Sequence, residues 1–106
     1  MAEEKKKLIE ELQLTQYRIH TLLLQKQNFE LKLREIEKAM EELKKSQGKT
    51  YKIIGPVMVE REKEKLLKDL EETKEIIEIR IKAFEKEIGS LQKRMENLQK
   101  RIMRSG

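Results

Sequence analysis

From Leu8 onward, apolar residues recur at alternating steps of four and three: Leu8, Leu12, Thr15, Ile19, Leu22, Lys26, Phe29, Leu33, Ile36, Met40 and Leu43, with Thr15 and Lys26 breaking the apolar series. Such spacing returns one narrow helix face every two turns and is the seam of a coiled coil. After mid-chain it resumes as Leu67, Leu70, Lys74, Ile77, Ile81, Phe84, Ile88, Leu91, Met95, Leu98 and Ile102, with Lys74 the one polar member. Two helices of about 40 to 45 residues follow, each roughly 60 to 70 Å long at 1.5 Å per residue. If the chain folds back about Gly55, residues whose numbers sum to 110 face each other. Leu43 then meets Leu67, Met40 meets Leu70, Leu33 meets Ile77, Phe29 meets Ile81, Leu22 meets Ile88, Leu12 meets Leu98, and Leu8 meets Ile102. Every seam position finds a seam partner, which predicts a mainly α fold: a long antiparallel two-helix coiled coil within one chain. Lys26 falls opposite Phe84 and Lys74 opposite Ile36, where aliphatic stems can cover the apolar neighbour while the ammonium reaches water.

Composition agrees with a linear seam. The 106 residues are 42% charged, 37% hydrophobic and 4% aromatic, without Trp or Cys, too little bulk for a conventional core at this length. Disorder fits less well, because the apolar residues are regularly spaced rather than sparse. Lys and Glu dominate the charges, a bias of heat-adapted proteins, and the absence of cysteine fits a reducing or hot cytoplasm. The start, MAEEKKKLIEELQ, has no apolar run of the signal-peptide kind, and IIGPVMV is far too short to span a bilayer. A soluble, cytoplasmic protein is expected, with no membrane partner.

Between the helices lies YKIIGPVMVE, residues 51–60, holding the chain's one proline. Ser46, Gln47 and Gly48 supply a helix stop. Two short runs rich in β-branched residues then flank Gly55-Pro56, which predicts a single β-hairpin at the connection. Gly at the first turn position and Pro at the second suit a type II′ turn. The expected organisation is one domain, 1–106, with helix 1 over 1–47, a hairpin segment over 49–61 and helix 2 over 62–104. A helical hairpin needs only about 2 to 8 connecting residues, and a lone two-stranded ribbon is marginal in water. Tyr51, Ile53, Ile54, Gly55, Val57, Met58 and Val59 therefore form a candidate oligomerisation segment seeking the same ribbon of other subunits. The alternative is a ribbon packed only on its own coil.

Both termini fall at the coil end away from the hairpin, where Ile9, Leu14 and Met103 lie off the seam beside Leu8, Leu12, Leu98 and Ile102. Flexible Leu and Met side chains there suit promiscuous apolar contact. A second off-seam line, Tyr17, Leu24 and Leu31 at intervals of seven, with Leu23 beside it, runs opposite the seam. Isolated exposed hydrophobes or contacts to a neighbouring subunit account for it equally well.

Catalysis has no foundation in these residues. His20 sits on the outer side of helix 1 without a positioned second group, the glutamates belong to solvated faces, and no phosphate loop, HExxH pattern or nucleophile elbow occurs. No enzyme, cofactor or metal is expected. A net charge of +5 raises nucleic acid as a partner, but residues 1–48 carry ten basic and nine acidic groups interleaved, and stacking aromatics are nearly absent. The exception is KRMENLQKRIMR, residues 93–104, whose Lys93, Arg94, Lys100, Arg101 and Arg104 face only Glu96; a basic end also complements the helix dipole.

The long helix, the TYKIIGPVMVERE segment and the second helix beginning KEKLLKDLEETKEIIEIRIKAFEKEI together resemble the prefoldins over essentially the whole chain. One hairpin and about a hundred residues look like the β-class, archaeal type; Tyr51 and Gly55 match its hairpin pattern, whereas Pro56 departs from it. The resemblance implies an ATP-independent chaperone subunit in a hexamer of two α-class and four β-class chains. Hairpins would join in a double β-barrel, and non-native clients would be held at the coil tips by Leu8, Ile9, Leu12, Leu14, Leu98, Ile102 and Met103. Transfer to a group II chaperonin would use Lys100, Arg101 and Arg104. A scaffold that oligomerises through its hairpin without chaperone action is the alternative.

Overall fold

The computed structural model describes residues 2–105, in the order α1 (Ala2–Lys45), β1 (Thr50–Ile54), β2 (Val57–Arg61) and α2 (Lys63–Ser105). The expectation that helix 1 begins at Met1 lies outside the described residues. Two long helices packed antiparallel, with a β-hairpin between them, make the expected mainly α fold. No Gly or Pro interrupts α1, and Leu, Lys, Glu and Gln fill most of it, so propensity alone favours helix. Glu3 and Glu4 in its first turn and Lys44 and Lys45 in its last turn complement the dipole. The helix stops where Ser46 takes over its last carbonyls: Ser46 N–H donates to Glu42 O at 3.0 Å and Ser46 Oγ to Leu43 O at 2.9 Å. Gly48, at φ +90°, then turns the chain toward β1.

Contacts divide the chain into two compact units, one of residues 1–28 with 81–106 and one of residues 29–80. In the first, Ile19, Leu22 and Ile88 form a buried cluster with Phe84, Leu91 and Met95 packed on it. Ile19, Leu22, Ile88 and Leu91, which the 110-sum register sets opposite one another, thus fall in one cluster. Thr15 sits in the seam without orphaning its hydroxyl, because Oγ1 donates to Glu11 O at 2.8 Å. Lys26 is half-buried, and its ammonium stands 3.8 Å from Glu85. Arg18 pairs with Glu87 at 3.1 Å and Arg94 with Glu11 at 3.3 Å across the exposed flanks of the seam.

In the second unit Met40 and Ile77 are buried, with Leu33, Ile36, Leu43, Leu67, Leu70 and Lys74 half-buried around the seam. The Phe29 ring is flanked by the Lys32 ammonium and the Arg80 guanidinium, each 5.3 Å from its centroid. Every seam position of both helices is buried or half-buried.

Candidate functional site

The hairpin pairs Thr50 with Arg61, Tyr51 with Glu60, Lys52 with Val59, Ile53 with Met58 and Ile54 with Val57. Gly55 has φ +58°, the left-handed value that the first position of the expected type II′ turn requires. At the open end, Thr50 Oγ1 donates to Arg61 O at 2.6 Å. Lys63, the first residue of α2, ties the start of that helix to the end of α1 below the ribbon: its Nζ donates to Lys44 O at 3.0 Å and to Ser46 O, just past α1, at 2.9 Å.

Strand alternation places Tyr51, Ile53 and Met58 on one face and Ile54, Val57 and Val59 on the other. Both faces are apolar and largely open. Ile53 is 71% exposed and Met58 63%, Tyr51, Ile54 and Val57 each retain about half their surface, and Val59 is half-buried. Tyr51, Ile53 and Met58, with Leu43, Leu66 and Leu70, line an open recess of about 690 Å³. Each strand also has one edge without a strand neighbour among the described residues. A two-stranded ribbon with apolar residues on both faces and two free edges can be completed only by further strands or apolar side chains.

The residues expected at the coil tips divide by burial. Leu8 and Leu98 are buried and Leu12 and Ile102 half-buried, so they build the seam. Leu14 at 69% and Met103 at 81% exposure stand outside it, with Ile9 at its margin. Lys100, Arg101 and Arg104 are all exposed. Tyr17, Leu23, Leu24 and Leu31 are exposed on α1, as are Ile76 and Ile79 on α2. The last two escaped sequence reasoning; their spacing of three, off the seam, is the signal that could have found them. Among the described residues no cluster of His, Cys, Asp or Glu could hold a metal ion, and no helix is long and apolar enough to cross a membrane.

Fold and hairpin define a class: coiled-coil subunits that present an incomplete β-ribbon. A family profile described as prefoldin subunit matches residues 6–105. The prefoldin subunit beta of Archaeoglobus fulgidus is 35% identical over 97 residues, covering 90% of this chain and 84% of that protein. That of Sulfurisphaera tokodaii is 36% identical, covering 86% and 74% respectively. The crystal structure of the prefoldin beta subunit from Thermococcus strain KS-1 superposes with a TM-score of 0.91 at 26% identity, over 96% of this chain and 91% of that one. The chain belongs to the prefoldin beta-subunit family. Members of this family are chaperone subunits, not enzymes.

Proposed function

We propose that this chain, residues 1–106 acting as one domain, is a cytoplasmic holdase subunit that joins α-class partners in an α2β4 hexamer. The hexamer captures non-native proteins at its coil tips and delivers them to a group II chaperonin without ATP. The observation that carries the reading is the open apolar ribbon, Tyr51, Ile53, Ile54, Val57 and Met58, on a chain of this family. Oligomerisation runs through these residues together with Gly55 and Val59. Ile9, Leu14 and Met103 offer ready client surface, and Leu8, Leu12, Leu98 and Ile102 would add area only if the seam opened at the tip. Multivalent holding follows, since several weak tips on one assembly act together. Lys100, Arg101 and Arg104 steer docking onto an acidic chaperonin surface, an attraction that weakens as salt rises.

The test is aggregation suppression of a chemically denatured client by the chain mixed with an α-class subunit, compared with the Ile53→Lys/Val57→Lys variant in the same mixture. The intact mixture should protect the client near stoichiometry and the variant should not. Absence of protection by the intact, assembled mixture would leave only a scaffold role.

A further inference from the structure

Among the described residues the methionines differ in burial. Met40 is buried and Met95 half-buried, both in the seam, whereas Met58 is 63% and Met103 81% exposed. Met58 is the one set in the hairpin, where it pairs with Ile53. It lines the open recess together with Tyr51, Ile53, Leu43, Leu66 and Leu70. Its thioether therefore lies on an apolar surface that water and small oxidants reach.

A thioether reacts with a hydroperoxide in one two-electron step. The sulfur lone pair attacks the distal oxygen and the O–O bond breaks; that oxygen stays on sulfur as a sulfoxide, its proton passes to the other oxygen, and water or an alcohol leaves. A weak acceptor has become a polar, chiral S=O group. A modification shifts an equilibrium only by its different effect on the two states, and here the difference is one-sided. In the free chain the sulfoxide oxygen faces water, and Lys49 and Lys52 line the same recess as donors. In a ribbon completed by further strands or apolar side chains, the same oxygen is desolvated among Ile53, Leu66 and Leu70, where an acceptor without a partner is unfavourable.

We propose that Met58 is an oxidation site through which hydroperoxides keep the chain out of its assembly: Met58 sulfoxide blocks completion of the ribbon, and a completed ribbon shields Met58. The inference rests on the reading of the hairpin as the assembly segment. Met103 is the internal control, since it is the more exposed of the two and lies in α2, outside the ribbon.

Competition within one sample tests it. The full chain is partially oxidised with hydrogen peroxide, quenched with free methionine and mixed with a limiting amount of the α-class subunit. Assembled and free chains are separated by size, and their sulfoxides are located by peptide mapping with mass spectrometry. Met58 sulfoxide should be enriched roughly tenfold in the free pool over the assembled pool, whereas Met103 sulfoxide should divide evenly. Even division of Met58 sulfoxide in a sample that forms hexamers would overturn the inference and leave hairpin assembly standing. Failure of the untreated chain to assemble with the α-class subunit would remove the assembly reading, and the inference with it. Met58→Leu, which keeps the side chain apolar, should assemble equally well before and after peroxide. Impaired assembly of oxidised Met58→Leu together with a lost helical signal would place the defect at Met40 and Met95 in the seam and overturn the assignment.

Discussion

Leu22 is 1% exposed and is the most completely buried large side chain among the described residues, enclosed by the Ile19, Ile88, Phe84, Leu91 and Met95 cluster. Leu22→Ala removes three methyl or methylene-level carbons from that cluster, and a two-helix seam has no second layer to collapse into the space. Buried Leu→Ala substitutions cost about 2 to 5 kcal/mol, and a value of about 3 kcal/mol is expected here. With an m-value of about 1 to 3 kcal/mol/M, the urea midpoint of the helical signal should fall by about 1 to 3 M. Leu14→Ala provides the internal control: at 69% exposure it loses little buried area and should stay within about 0.5 kcal/mol of the parent. Both variants must be compared by circular dichroism at one protomer concentration, because assembly shifts apparent stability by mass action. Equal midpoints for the two variants would refute the assigned seam.

The Ile53→Lys/Val57→Lys variant should lose native mass while keeping its helical signal, since charges forced into an intersubunit sheet are unpaired whereas the coil retains its seam; native mass spectrometry and circular dichroism together check it. Gly55 and Gly89 should respond to alanine with opposite signs. A Cβ at either meets nothing within 4 Å, but Gly55 has φ +58°, so Gly55→Ala should destabilise by about 1 to 2 kcal/mol and helical Gly89→Ala should stabilise by about 0.5 to 1 kcal/mol in urea unfolding. Lys63→Met, which removes the donor to Lys44 O and Ser46 O, should cost about 1 kcal/mol and speed amide exchange in residues 46–50.

Helix, hairpin and register were legible because they depend on period and turn chemistry. Heptad arithmetic located every seam residue, and the Gly55-Pro56 pair marked the turn. The Thr15 hydroxyl was not readable, since only the folded helix shows that it bonds back to Glu11 O. Nor was the Lys63 strap: a lysine opening a helix opposes that helix's dipole, and its reason lies in the carbonyls closing α1. The ion pairs Arg18–Glu87 and Arg94–Glu11 depend on rotamers across the seam, which spacing alone leaves open. At the tips, period separated seam from off-seam residues. How much surface each presents required the neighbouring helix, which covers Leu98 almost completely and leaves Met103 open.

Client holding at the helix termini, separate from assembly at the hairpin, is tested most directly by deleting residues 1–12 and 99–106 and measuring aggregation suppression alongside native mass, with the α-class partner present. The truncated chain should keep its hexameric mass, because the ribbon of residues 50–61 is intact, and should lose protection of a denatured client. A truncated hexamer that protects the client at the stoichiometry of the intact protein would contradict the account.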